Sequence, residues 1–187
     1  MSLSTSTTPK ATLEDLARVE GNAELIGGRI VTLSPNGYEH CAIVGEVFFL
    51  LKGFVRKSAR GMAFADNTAF AVGELQSGRQ SFSPDVSFYD GPLPSNRKDF
   101  IPGPPKFAVE VRGKDDHGKT ALRELALKRA DYFEAGTLVV WDVDPDAKCV
   151  HVYRAAAPDR PETFTEGQQA DAEPAVPGWR LSVDEIF

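Results

Sequence analysis

The chain has little of what several functional classes require. Its 187 residues include only two cysteines, Cys41 and Cys149. Two are too few for a disulfide framework, and they lack the CxxC spacing of a zinc site, so a reducing cytoplasm is the expected home. No apolar run approaches the roughly 20 residues needed to cross a bilayer. The opening MSLSTSTTPK lacks the apolar stretch of a secretory signal. Residues 1–11 therefore read as a disordered leader, followed by one domain over 12–187. A positive surplus is also missing. The net charge is −6, which argues against indiscriminate coating of a polyanion.

What is present is an ordinary globular composition, 42% hydrophobic and 26% charged, with enough length for a sizeable core. Positive charge is local. One grouping is Lys52, Arg56, Lys57 and Arg60; the other is Arg112, Lys114, Lys119, Arg123, Lys128 and Arg129. Such runs are more often solvated faces than binding grooves.

Along the chain, Thr12 before LEDLARV reads as the N-cap of a short helix with acidic residues in its first turn. AELIGGRIVTLSP reads as a hairpin around Gly27-Gly28. Apolar residues from His40 to Val55 recur at helical spacing, which predicts a helix from about Tyr38 to Ser58, ended by Gly61. MAFA and NTAFAV read as strands, and ELQSGRQS as a polar loop. A strand follows Pro84-Asp85, and the five-proline stretch GPLPSNRKDFIPGPP reads as a surface loop. Lys106 to Val111 is a strand and Lys119 to Glu134 a helix stopped by Gly136. Leu138 to Val143 and Cys149 to Arg154 form an antiparallel pair across Asp144-Pro145-Asp146. Ala155 to Gly178 reads as a loop with one short strand, and the tail as a strand end and a closing helical turn. The class is α/β or α+β with a mixed central sheet flanked by helices.

Two carboxylates stand out. Asp85 follows a proline at a strand mouth, where aspartate commonly satisfies local backbone donors. Strand alternation places it with Ser87 and Tyr89, opposite Val86 and Phe88. Glu110 sits in PKFAVEV among apolar residues, where an isolated carboxylate costs several kcal/mol to bury. It must be paired with a cation or hold a metal. The 25-residue separation allows the two strands to lie side by side. Two carboxylates plus a backbone carbonyl make a hard oxygen site suited to Mg²⁺ or Mn²⁺.

Projected at 100° per residue, Ala121, Leu122, Leu125, Ala126, Tyr132 and Phe133 form one apolar stripe. Arg129 falls inside it and Lys128 at its edge, and spacing alone does not choose which of them meets the carboxylates. A purely structural ion pair is the competing reading. His40, at the centre of the first long helix's stripe, reads as a core histidine, or as a ligand or proton relay if a metal lies near. Glu46 at the stripe's edge is a further candidate carboxylate; His117 and His151 read as loop and strand-surface residues.

The ordered set ELIGGRIVTLSP, His40 opening a helix, SPDVSFYD, FAVEVRGKDD, KRADYFEAG, LVVWDVDP and VHVYR resembles the Uma-two family of bacterial endonucleases over about residues 12–187. The resemblance implies a restriction-endonuclease-like fold of the PD-(D/E)XK type. It places Pro84-Asp85 at the family's PD, Glu110-Val111 at the strand-borne acidic pair, and Lys128, four before Tyr132 and eight before Gly136, at the helix lysine. His40 matches the histidine that opens the family's first long helix. The chain departs after Glu110, with Arg112-Gly113-Lys114 in place of a Leu-Ser-Pro-like turn. Arg112 thus stands at the lysine position of a strict D/E-x-K motif; it stabilises charge but cannot act as a base.

The implied activity is hydrolysis of DNA with Mg²⁺ or Mn²⁺ on Asp85, Glu110 and the Val111 carbonyl. Lys128 would position or help deprotonate the water, His40 would assist near the phosphate, and Arg112 would lend electrostatic support. A homodimer is expected, since two strands are most simply cut by paired sites. The alternatives are a nuclease-fold module that binds nucleic acid or protein without chemistry, and a scaffold in which Glu110 and Lys128 form only a salt bridge.

Overall fold

The computed structural model describes residues 10–114 and 116–187. Of the disordered leader expected over residues 1–11, the first nine residues lie outside them. Within its last residues, Ala11 donates its amide to the Gly28 carbonyl at 2.9 Å, so ordered chain begins before Thr12.

Local chemistry accounts for the first elements. The Thr12 hydroxyl accepts the Asp15 amide and the Asp15 carboxylate accepts the Thr12 amide, closing a capping box over α1 (Leu13–Leu16). β1 (Ala23–Ile26) turns into β2 (Arg29–Thr32) through Gly27 and Gly28, at φ 58° and 71°. A two-residue turn that matches strand twist needs positive φ at both positions, which glycine adopts without strain. α2 (Tyr38–Ser58) ends on Ala59 in the left-handed conformation rather than at Gly61. β3 (Met62–Ala65), β4 (Phe70–Ala71), β5 (Ser81–Phe82) and β6 (Val86–Tyr89) follow. The proline-rich stretch holds β7 (Ile101–Pro102), a short strand parallel to β4 that the loop expectation misses. β8 (Phe107–Val111), α3 (Lys119–Ala135), β9 (Val139–Asp144) and β10 (Cys149–Arg154) come next.

The segment expected to be mostly loop is instead β11 (Ala157–Thr165), a nine-residue strand, followed by β12 (Gln169–Asp171). β11 is exposed along nearly its whole length and pairs with β10. With neither face covered, it carries no apolar alternation, and its prolines and charges are those of a protected sheet edge. β13 (Arg180–Ser182) pairs with β12 and runs into a 3₁₀ turn at Val183–Glu185, as the tail predicts.

The six-stranded central sheet has the order β11-β10-β9-β8-β6-β3. Only β8 and β9 run parallel, with α3 as their crossover; the other neighbours are antiparallel. This is the mixed α+β architecture that the element pattern predicts. Phe107, Val109 and Val111 join Ile43, Val47 and Leu51 of α2 in the main core. Ala108 and Val140 face the other way, toward a second cluster with Phe70, Phe82, Tyr89 and Tyr132. Period-two alternation along β8 therefore sends Glu110 to the α3 side.

Candidate active site

Glu110 turns out of β8 toward α3, and both of its oxygens are engaged. Oε2 accepts the Lys128 ammonium at 2.8 Å, and Oε1 accepts the Tyr132 hydroxyl at 2.6 Å. Burial, with the negative charges of Asp85 and Glu24, pushes the Glu110 carboxyl up to about 7 against the pull of Lys128. The ammonium goes the other way. Burial favours its neutral form, but Glu110 and Glu24 outweigh that and hold Lys128 above its ordinary value.

Asp85 stands one residue before β6, and its amide donates to the Val109 carbonyl at 3.1 Å. Its Oδ2 accepts the Val111 amide at 2.7 Å, which ties it to the residue after Glu110. The register that makes this possible pairs Val86 with Val109. His40, on the first turn of α2, brings Nε2 to 3.2 Å from the same Asp85 oxygen. The imidazole is 6% exposed, and its Nδ1 has no partner among the described residues. Burial would lower the His40 pKa, but the hydrogen bond and charge of Asp85, Asp66 and the Val111 carbonyl raise it above the ordinary value. Asp85, Val111 and His40 thus meet at one end of the sheet, with Glu110 and Lys128 beside them.

Lys128 and Arg129 part company. Arg129 lies 3.7 Å from Asp142 and stacks on the Tyr153 ring at 3.6 Å, so Lys128 is the cation that meets Glu110. The projected stripe needs correction as well. Leu122 and Ala126 of that stripe are exposed, while the inner face of α3 also carries Lys128, Arg129, Asp131 and Tyr132. α3 covers a polar part of the sheet, so its inner face is charged.

Arg112 is not bonded to Asp85 or Glu110. Its guanidinium grips Asp142 at 2.7 and 3.0 Å and also bonds Asp144, both on β9. Asp142 is the cross-strand partner of Glu110, so Arg112 neutralises the neighbouring carboxylate instead. Glu46 is exposed on α2, His117 lies 3.5 Å from Asp146, and His151 Nδ1 lies 2.8 Å from the Thr163 hydroxyl.

Four participants are missed by sequence reasoning. Glu24 on β1 is 2% exposed and its Oε1 lies 3.2 Å from Lys128. Arg79 bonds Glu24 and also reaches Asp131 at 2.8 Å. Tyr132 reads as apolar stripe, although its position one turn after Lys128 was a usable signal. Arg79 lies in a segment that reads as a solvent loop and carries no such signal.

Among the described residues, no three His, Cys, Asp or Glu side chains group as a metal cluster. A two-carboxylate site fits the donors present. Magnesium-like ions are commonly held by one or two carboxylates plus waters, and Asp85, Glu110 and the Val111 carbonyl are all hard oxygen donors. Burial first, then the charges of Asp85 and Glu24, raise the Glu110 carboxyl, and a divalent cation bound there would favour its ionised form.

The Uma2 family, described as "Putative restriction endonuclease", matches residues 11–184. The chain belongs to this family. The crystal structure of a "putative nuclease belonging to DUF820" from Anabaena variabilis shares the fold, with a TM-score of 0.71 and 22% identity, over 94% of this chain and 97% of that one. No curated protein matches the chain. Among the described residues of this Uma2 chain, no helix is long and apolar enough to cross a membrane.

Proposed function

We propose that this Uma2 protein is a divalent-cation-dependent DNA endonuclease, acting as a homodimer in the cytoplasm. The observation that carries the reading is Asp85 bonded to the Val111 amide, next in the chain to Glu110, whose own carboxylate bonds Lys128. Asp85, Glu110 and the Val111 carbonyl would hold Mg²⁺ or Mn²⁺. Bound there, the ion supplies Lewis-acid polarisation of a phosphodiester oxygen and a water of lowered pKa.

The chain's own groups do the rest. Lys128 is held protonated, so it acts as a donor that offsets the charge building on the phosphate oxygens rather than as a base. Tyr132 fixes the rotamer of Glu110 through Oε1. His40 holds Asp85 by Oδ2 and lends an imidazole beside the proposed metal site. Arg112 acts at one remove, by neutralising Asp142 next to Glu110.

Replacing both carboxylates, Asp85→Ala with Glu110→Ala, should abolish Mg²⁺- or Mn²⁺-dependent nicking of supercoiled plasmid by the purified protein; undiminished nicking refutes the assignment. A second reading, a nuclease-fold module that binds nucleic acid without cutting it, is favoured by one observation. Arg112 stands at the motif's lysine position and is tied to Asp142 and Asp144. That reading predicts DNA retention with no metal-dependent product.

A further inference from the structure

Lys128 has two anionic partners, and only one of them is a candidate metal ligand. The other, Glu24, comes from the β1–β2 hairpin, which has no part in the proposed chemistry. Its carboxylate is fixed on every side. Oε1 accepts the Ser83 amide at 3.0 Å and faces the Lys128 ammonium at 3.2 Å, while Oε2 is held by Arg79. Arg79 is itself anchored by its Nε on Asp131 at 2.8 Å and lies over the Phe82 ring at 5.2 Å. Glu24, Arg79 and Asp131 are each less than 10% exposed.

A chain of buried charges is an expensive way to pin a hairpin. Apolar groups of similar volume commonly do as well or better, because the desolvation of each ion offsets the attraction. The arrangement gains a purpose once Lys128 is considered. An ammonium bonded only to Glu110 would lose its anchor whenever that carboxylate turned toward a metal or a phosphate. A second carboxylate, held rigid by Ser83 and Arg79, removes that freedom.

We propose that Glu24, oriented by Arg79, is a positioning residue that holds the Lys128 ammonium in place for phosphodiester cleavage. The inference rests on the nuclease reading above and deepens it. It assigns the hairpin a role in the reaction, through a residue that touches neither DNA nor metal.

The test is Glu24→Gln, which keeps shape and removes charge, read in two ways. In metal-free protein, the ¹⁵N–¹H correlation of the Lys128 ammonium, assigned by its absence in Lys128→Arg, should be sharp in the wild type and broadened or shifted in E24Q. In plasmid nicking with Mn²⁺, kcat should fall roughly 10- to 100-fold at unchanged KM, the scale on which misplacing a catalytic group acts. A stabilising contact alone would lower the melting temperature and shift the ammonium signal but leave the kcat of the folded protein unchanged, so kcat decides the positioning role. Should E24Q fail to fold, Glu24→Asp, with its charge one methylene short, carries the same two readouts. An unchanged ammonium signal, or a kcat within twofold of wild type, overturns the proposal. A wild type that cuts nothing refutes the nuclease reading, and the ammonium signal then decides by itself whether Glu24 holds Lys128.

Discussion

Glu110→Gln should stabilise the metal-free protein at pH 8 relative to pH 5, when each is measured against wild type. The Glu110 carboxyl is pushed from 4.5 to about 7 by burial and by the charges of Asp85 and Glu24. A native pKa above the unfolded value means that the folded state binds more protons between those limits. Stability from this group is therefore complete below about pH 4.5 and is lost as pH rises through about 7. The loss is at most on the order of 3 kcal/mol, taking about 1.4 kcal/mol per pH unit. For a chain of this length that corresponds to roughly 6–12 °C in melting temperature. Glutamine keeps the acceptor for Tyr132 and cannot titrate. The attraction between Lys128 and ionised Glu110 is already contained in the Glu110 pKa, so it adds nothing further to the slope. Urea unfolding of both proteins in EDTA at pH 5, 6, 7 and 8 gives the comparison. Parallel stability profiles would refute the claim that Glu110 is held ionised at a cost.

His40→Gln should destabilise more at pH 5.5 than at pH 8.5 in the same assay, because a raised histidine pKa gives stability that is present at low pH and lost as pH rises through the folded value; an equal effect at both pH values would contradict the His40–Asp85 pairing. Arg79→Ala leaves Asp131 without its buried cation and Glu24 with Lys128 alone, so urea unfolding should show a loss of about 3–5 kcal/mol. A loss below about 1 kcal/mol, the scale of an exposed pair, would count against burial of that network.

The parts of the site that follow from short-range pattern are legible in the sequence. Alternation along FAVEV puts Glu110 opposite Phe107, Val109 and Val111, and the structure sends it to the α3 side accordingly. Pro84-Asp85 reads as a strand mouth, and Asp85 stands there. Lys128 and Arg129 are not separated by helical projection. The choice between them depends on which strand each meets, β8 for Lys128 and β9 with Tyr153 for Arg129. The same limit hides Glu24 and Arg79, which are 55 residues apart and meet only in the folded chain. A charged residue in a hairpin and an arginine in a polar loop are what solvent exposure also produces, so neither position signals burial. The α3 stripe misleads for a related reason. Amphipathic projection assumes an apolar partner, and the sheet beneath α3 offers Glu110 and Asp142.

The most direct test of the central claim is an anomalous difference map from crystals of the wild-type protein soaked in Mn²⁺. A peak ligated by the carboxylates of Asp85 and Glu110 and by the Val111 carbonyl is the predicted result. No peak there, with Asp85 still bonded to His40 and Glu110 still bonded to Lys128 and Tyr132, would contradict it.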